Sequence, residues 1–203
     1  MEHKTRKPFD PQPVTLTGDL VRLEPLDPQH AADLYAVGAE ELIWRHAARP
    51  ALHSLPDAQE WISDCLAEVA RGAEVRFAVI HQPTGKAVGS TAYIDIVRQH
   101  RTLEIGMTWY GTAWQRTGVN TECKYLLMRH AFEKLQTRRV ALKSDSRNHR
   151  SRRAILRLGA VEEGTLRNHR IARDGVDRHT VYYSVIDSEW PTVKERLEGL
   201  MRR

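Results

Sequence analysis

Residues 103–122 read LEIGMTWYGTAWQRTGVNTE and decide which folds this chain can adopt. Apolar side chains alternate with others along 103–109, which predicts a β-strand. A glycine-containing loop follows and leads directly into residues 120–136, where apolar side chains recur at helical spacing. A strand, a loop and a long helix in this order leave unpaired backbone N–H groups at the start of the helix, where an anion such as phosphate can bind.

Alternating and helical patterns on both sides extend this unit into one domain. The upstream segments are hairpins over 14–25 and 75–97, and helices that begin at Asp27, near Glu40 and at Pro56. The downstream segments are a strand over 140–144, a helix over 148–158 closed by Gly159, a hairpin over 161–186 and a helix from Ser188. This order predicts a single α/β (α+β) domain over 14–203, with a mobile lead-in over 1–13.

Size and charge exclude some classes of protein. The 203 residues suit one domain with an ordinary core. Lysine and arginine number 31 against 26 acidic residues, and this basic surface favours an anionic ligand without distinguishing nucleic acid, polyphosphate and CoA. No apolar run reaches the roughly 20 residues that span a bilayer, and no apolar stretch follows the basic start as in a signal peptide, so we expect a cytoplasmic protein without membrane contact.

The sequence offers no pattern for a metal or a reactive thiol. HExxH, paired CxxC and acidic metal-binding loops are all missing, so we expect no metal. Cys65 and Cys123 lie on apolar faces of predicted helices, which indicates buried, reduced thiols rather than a nucleophile or a disulfide.

The loop before the long helix is the main candidate binding site. Glycine at position 118 would let backbone donors close around a pyrophosphate at the helix start. The alternative is an ordinary turn, with Asn120 or Thr121 as a simple N-cap. Five arginines follow the next predicted strand, and they are either further anion contacts or a solvated helix face: Arg147, Arg150, Arg152, Arg153 and Arg157.

With this loop the chain resembles the GNAT superfamily of N-acetyltransferases, whose signature is Gln/Arg-x-x-Gly-x-Gly/Ala between its fourth strand and third helix. Gln115-x-x-Gly118-x-Asn120 matches except at the last position. The stretches LTGDLVRLEPL and LEIGMTWY, and the run from Asn148-x-x-Ser151 to Leu158-Gly159, resemble the branch of ribosomal-protein alanine and serine acetyltransferases. The resemblance implies a GNAT fold, with a mixed sheet of about seven strands and a V-shaped splay between the fourth and fifth.

The resemblance also implies how acetyl-CoA would bind. Main-chain groups of Met107, Thr108 and Trp109 would contact pantetheine, and Asn148 and Ser151 would contact it from the helix that follows. The loop residues implied around the pyrophosphate are Gln115, Arg116, Thr117, Gly118, Val119, Asn120 and Thr121.

Acyl transfer to an amine needs a base for the amine and a proton donor for the leaving thiolate. Glu104 matches the acidic residue on the family's fourth strand that acts as general base, whereas a glutamate that only faces solvent or pairs with Arg101 is the alternative. Asp95 is the reserve base. Ile155 occupies the position of the usual tyrosine acid, so Ser151 is the implied donor, with a plain first-turn serine as the alternative.

The acceptor pocket is expected to involve the first half of the chain. Trp44, His46, Tyr93 and Asp95 are candidate substrate contacts, joined by Arg45, and core packing is the alternative for Trp44. A protein N-terminus, a polyamine, an aminoglycoside or an amino acid would each supply a suitable amine.

Acetyl-CoA is the expected donor, with succinyl-CoA as an alternative, and a homodimer is compatible with this fold. Two other functions remain open. A non-catalytic acyl-CoA-binding domain would keep the loop but leave Glu104 and Ser151 apart. A nucleic-acid binder would need a continuous basic stripe, and the arginine run lacks interleaved aromatic residues, which disfavours nucleic acid as a partner.

Overall fold

The structure, a computed structural model, describes residues 8–47, 49 and 51–202. They form one mixed sheet of eight strands in the order β1-β2-β3-β4-β5-β6-β8-β7, with β1 and β7 at its edges. All neighbouring strands are antiparallel except β5 and β6. The strands are Leu16–Thr17 (β1), Val21–Pro25 (β2), Val75–His81 (β3), Lys86–Val97 (β4), Thr102–Tyr110 (β5), Arg139–Asp145 (β6), Val161–Ile171 (β7) and Asp177–Ile186 (β8).

Helices cover both faces of this sheet. They are Ala31–Gly38 (α1), Glu41–Trp44 (α2), Leu55–Ala70 (α3), Val119–Arg129 (α4), His149–Leu158 (α5) and Trp190–Met201 (α6). Local sequence sets several of their ends. Asp27 caps the short turn before α1, Ser54 and Asp57 form a capping box at α3, and Gly159 ends α5 with φ +101°.

Alternation along the strands divides the interior into two cores. In β3, Phe77 and Val79 face a larger core built with α4 and α6, whereas Ala78 and Ile80 face a smaller core under α1 and α3. The larger core continues across β5 through Leu103 and Ile105 and across β6 through Val140 and Leu142, whereas Trp109 near the end of β5 faces the smaller core. The opposite face of β5, β6 and β8 carries polar side chains instead.

The sheet opens between its two parallel strands. Cα pairing of β5 with β6 covers only Thr102–Glu104 against Arg139–Ala141, although β5 continues to Tyr110 and β6 to Asp145. The two strands therefore diverge beyond Glu104, and the backbone groups on their facing edges have no strand partner. This divergence corresponds to the V-shaped splay expected between the family's fourth and fifth strands, and the fold class is confirmed.

Three details differ from the sequence-based expectation. The sheet has eight strands rather than the about seven that the resemblance implies, and eight is the number to which the predicted hairpins and single strands add up. Residues 1–7 lie outside the described residues, but Phe9 is packed in the larger core beneath the guanidinium of Arg101, so the described part of the lead-in is anchored. The helix expected over 120–136 is α-helical only to Arg129 and continues as a π-helical turn over His130–Lys134.

Candidate active site

The open half of β5 is shaped by a backbone irregularity. Met107 adopts φ +52°, and the pairing with β4 shifts around it, because Ser90 faces Trp109 while Ala92 faces Gly106. This bulge turns the Met107 side chain outward, where it is 56% exposed. A left-handed residue beside an unpaired strand edge is the local strain that is common at ligand sites.

Glu104 lies where the splay begins and is almost fully buried. Its Oε2 is 2.6 Å from Nζ of Lys143 on β6, and the same ammonium is 2.7 Å from Oδ2 of Asp95 at the end of β4. Burial raises the pKa of Glu104 above its usual value, although the contact with Lys143 opposes this. The hydrogen bond from Lys143 holds the pKa of the more exposed Asp95 below its usual range. One ammonium therefore bridges two carboxylates, of which Glu104 has a raised pKa and Asp95 a lowered pKa.

The loop between β5 and α4 is held in shape by its own side chains. Nε2 of Gln115 donates to the carbonyl of Tyr110 at 3.0 Å, and Oγ1 of Thr117 donates to the carbonyl of Trp114 at 2.7 Å. Arg116 adopts φ +62°, which turns the chain toward the helix and leaves the arginine exposed. The N–H of Val119 donates to the same Thr117 oxygen at 3.3 Å, so the loop is preorganised by contacts that use only this one N–H group of the helix start.

At the start of α4, side chains point inward while backbone donors remain available. The first intrahelical bond runs from the N–H of Glu122 to the carbonyl of Gly118, so the N–H groups of Asn120 and Thr121 have no helical partner. The Thr121 side chain is buried and accepts a hydrogen bond from Arg157 at 2.6 Å. The backbone rather than these side chains is positioned to meet a phosphate, and this corrects the simple N-cap alternative for Thr121.

The Glu122 carboxylate does not repel an anion at this helix, because it faces away. Its two oxygens accept hydrogen bonds from the backbone N–H groups of Asp19, Leu20 and Val21 at 2.9, 2.7 and 2.6 Å. A buried carboxylate therefore ties the first hairpin to α4. Sequence reasoning missed this role, since a glutamate in a first helical turn gives no signal about a distant hairpin.

The start of α5 adjoins the same loop. Asn148 accepts a hydrogen bond from the N–H of Ser151 at 3.0 Å and so caps the helix, while Nη1 of Arg150 donates to Oε1 of Gln115 at 2.5 Å. Ser151 is partly exposed, and Ile155, at the position of the missing tyrosine, is buried in the larger core. The contact between Arg150 and Gln115 brings the α5 start and the loop together, as a shared CoA site requires.

Lys124 on α4 is a buried charge that sequence reasoning did not select. Its Nζ donates to Oγ1 of Thr108 at 2.6 Å and lies 3.5 Å from Oγ1 of Thr91. Burial lowers its pKa to about 8. Among the described residues it has no ion-pair partner within 4 Å. A sequence signal existed, because Lys124 lies one and two helical turns before the buried Met128 and Ala131.

The candidate acceptor contacts separate into two groups. Trp44 and Tyr93 are buried: the Trp44 indole packs against Trp109 in a tilted arrangement with ring centroids 4.8 Å apart, and the Tyr93 hydroxyl donates to the carbonyl of Leu127 at 2.7 Å. The structure does not support a pocket role for either, since packing occupies both rings. His46 and Asp95 remain accessible, and His46 lines a cavity beside the start of α5.

Comparison with known proteins decides the family. The sequence model described as "Acetyltransferase (GNAT) domain" matches residues 21–161, more than half of the chain. The chain belongs to the GNAT acetyltransferase family. The predicted family is therefore confirmed, and with it the class of enzyme.

Individual relatives agree with this assignment. The ribosomal-protein-serine acetyltransferase of Escherichia coli is 28% identical over 102 residues, which are 50% of this GNAT chain and 56% of the relative. A GCN5-related N-acetyltransferase from Brucella melitensis superposes with a TM-score of 0.89 at 29% identity, covering 98% of this chain and 90% of that one. RimJ of Mycobacterium smegmatis, solved with CoA-disulfide, shares the fold with a TM-score of 0.80 at 22% identity, over 94% and 96% of the two chains.

Other chemistries find no support in the part of the chain that the structure describes. No group of three or more His, Cys, Asp or Glu side chains could hold a metal ion there. None of the described helices is long and apolar enough to cross a membrane. Cys65 and Cys123 are free and buried, and burial raises the pKa of both thiols, that of Cys65 to about 11.

Proposed function

We propose that this GNAT protein transfers an acetyl group from acetyl-CoA to a primary amine by direct attack within a ternary complex. The observation that carries the proposal is the buried carboxylate of Glu104 at the point where β5 and β6 diverge. The open edge of β5 beyond it offers main-chain groups to pantetheine, and the loop before α4 offers N–H groups to the pyrophosphate.

Glu104 is the proposed general base. An amine attacks only when neutral, so the ammonium must first lose a proton, directly to Glu104 or through one water. Burial raises the pKa of Glu104 and makes its carboxylate a stronger base than an exposed glutamate. Lys143 keeps that carboxylate ionised before the amine arrives, and Asp95 holds Lys143 charged.

Ser151 and the β5 bulge are the groups proposed to bind the thioester. The amine nitrogen forms a bond to the acyl carbon, the carbon–sulfur bond breaks, and the thiolate leaves with the electron pair. Ser151, in the first turn of α5, is positioned to hydrogen-bond this thiolate as charge develops. Main-chain N–H groups beside Met107 are proposed to bind the thioester oxygen.

The proposed acceptor is the amino terminus of a protein. It is supported by the similarity of the chain to the ribosomal-protein-serine acetyltransferase of Escherichia coli.

Calorimetric titration with acetyl-CoA tests the proposal. Wild type should bind, and Gly118→Trp should not, because the indole would fill the space at the start of α4. An added Cβ at Gly118 meets only Leu20, at 3.1 Å, so the fold should tolerate the change. Gly199→Trp is the matched control, since a Cβ there meets nothing within 4 Å. A folded wild type that binds no acetyl-CoA would refute the proposal.

A further inference from the structure

A cavity of about 240 Å³ lies between the segment after α2 and the start of α5. Arg45 and His46 form one side of it, and residues 147–150 form the other. The cavity adjoins Asn148, which caps the helix that carries Ser151. Its position therefore places its contents next to the proposed reaction centre.

The guanidinium groups around this cavity outnumber those that are paired with a carboxylate. Arg147 holds both nearby carboxylates, with Asp145 at 2.9 Å and Asp174 at 3.1 Å. Arg150 donates to the neutral amide of Gln115. Arg45 has no ion-pair or hydrogen-bond partner among the described residues. Two guanidinium groups at the cavity are thus left without a carboxylate.

Positive charge continues from the cavity onto β8. Arg178 lies on the same face as Lys143 and Asp145, is partly buried, and has a buried Nε without a hydrogen-bond partner among the described residues. It also pairs in register with Arg170 on β7, so two like charges stand directly opposite each other. The carboxylate of Asp145 offsets part of this repulsion, because its charge acts on Arg178.

The pKa of His46 depends on the charges around the cavity. Burial lowers its pKa, Asp145 at 3.9 Å opposes the change, and the charges of Arg45, Arg147 and Arg150 lower the pKa further. An anion that entered the cavity would reverse the last effect. His46 is therefore a built-in indicator of anion binding.

We propose that this cavity binds a carboxylate of the substrate, carried either on the acyl group of the CoA thioester or on the acceptor next to its amine. The guanidinium groups of Arg45 and Arg150 and the N-terminus of α5 are the donors. The inference rests on the proposed function and adds a substrate class to it: one of the two partners is acidic.

Two matched pairs of probes locate the carboxylate. Succinyl-CoA is compared with acetyl-CoA for the donor, and the dipeptide amide Ala-Glu is compared with Ala-Gln for the acceptor, with and without CoA. Affinities are measured by calorimetry and the His46 pKa by NMR. The acidic member of one pair should bind about tenfold more tightly than its neutral match and should raise the His46 pKa.

Variants separate this cavity from general charge attraction. Arg45→Gln should abolish the tenfold preference, whereas Arg167→Gln, which removes the same charge from the exposed edge strand β7, should leave it unchanged. Equal binding of acid and neutral probes, with an unmoved His46 pKa in a protein that binds acetyl-CoA, would overturn the inference alone. Loss of all CoA binding would instead overturn the proposed function, and the dipeptide arm would still decide the cavity.

Discussion

The ammonium of Lys143 lies 2.6 Å from a carboxylate oxygen of Glu104, on a sheet face where Glu104 is almost fully buried. Burial and this ion pair act in opposite directions on the same carboxylate. Burial favours the protonated acid, and the ammonium favours the carboxylate that a general base must supply. The balance between them sets the pH at which the proposed base works.

Replacing Lys143 should shift the pH dependence of the reaction. In Lys143→Met the pKa of Glu104 rises, because only the opposing influence of the ammonium is removed. Activity that needs the ionised carboxylate is lost as pH falls through that pKa, so the acid limb of the kcat/KM profile should move to higher pH. Lys86→Met, at an exposed lysine, is the control. An unmoved acid limb would contradict the assignment of Glu104 as base.

Replacing Glu104 should slow chemistry without weakening cofactor binding. Glu104→Gln keeps the shape but cannot accept the proton, so we expect kcat to fall by about 10²–10⁴-fold. Calorimetry should show acetyl-CoA affinity close to that of wild type. Asp95→Asn should have a smaller effect, since Asp95 is the more exposed of the two carboxylates and its hydrogen bond is with Lys143. A larger loss in Asp95→Asn would assign the base to Asp95 instead.

Replacing Ser151 should slow the departure of the thiolate. Ser151→Ala removes one hydrogen bond to the leaving group, and we expect kcat to fall about tenfold, equivalent to ~1.4 kcal/mol. Release of free thiol, followed with a chromogenic disulfide, measures the rate. Ser188→Ala, at an exposed serine before α6, should leave it unchanged. Equal rates for Ser151→Ala and wild type would remove Ser151 from the mechanism.

Lys124 should make stability depend on pH in a defined window. Its folded pKa of about 8 lies below the roughly 10.4 of an unfolded lysine, so the unfolded chain binds more protons between these values. Burying the charged Lys124 therefore lowers the free energy of unfolding by about 3 kcal/mol below about pH 8. This penalty shrinks as pH rises and is absent above about pH 10.4.

The comparison of wild type with Lys124→Met isolates this effect. Burial raises the pKa of Tyr93 and Tyr110, and these groups lower stability as pH rises past the unfolded tyrosine value, but they are the same in both proteins. Denaturant unfolding from about pH 7 to 10.4 should show Lys124→Met more stable than wild type at neutral pH, with the difference shrinking as pH rises. Lys134→Met, at an exposed lysine, should show no such trend.

Glu122 should be essential for stability rather than for catalysis. Glu122→Gln loses charged hydrogen bonds to three backbone N–H groups, and we expect a loss of about 3 kcal/mol in the free energy of unfolding. Gly18→Ala should act on the same contact, because a Cβ there would lie 2.6 Å from Cδ of Glu122. The double variant should therefore be non-additive. Glu60→Gln, at an exposed glutamate, should change stability by less than about 0.5 kcal/mol.

Local patterns predicted the elements well because each element is encoded by its own residues. The hairpin over Val75–Val97 followed from alternation and a turn, and the end of α5 followed from Gly159. The helix Val119–Arg129 and the loop before it were also predicted at their places in the chain. Its π-helical continuation was missed, because helical spacing does not distinguish one kind of helical turn from another.

The candidate site was only partly predictable. Alternation placed Glu104 on the polar face of its strand. The ion-pair partner considered from the sequence was Arg101, whereas the structure pairs Glu104 with Lys143. The pattern over Arg139–Asp145 does put Lys143 on the polar face, yet only the sheet order shows that β6 lies beside β5. The prediction that Tyr93 lines a pocket failed because its position in a strand does not reveal that α4 covers it.

The sequence by itself determined the order of strands and helices, the phosphate-type loop and the family, because these depend on residues close together in the chain. Only the tertiary structure decided which charges meet. The ion pair of Lys143 with Glu104, the buried Lys124 beneath Thr108 and the cavity between Arg45 and the start of α5 each join segments far apart in the chain. Periodicity sets the face on which a side chain lies, whereas the neighbouring element sets its partner, its burial and therefore its pKa.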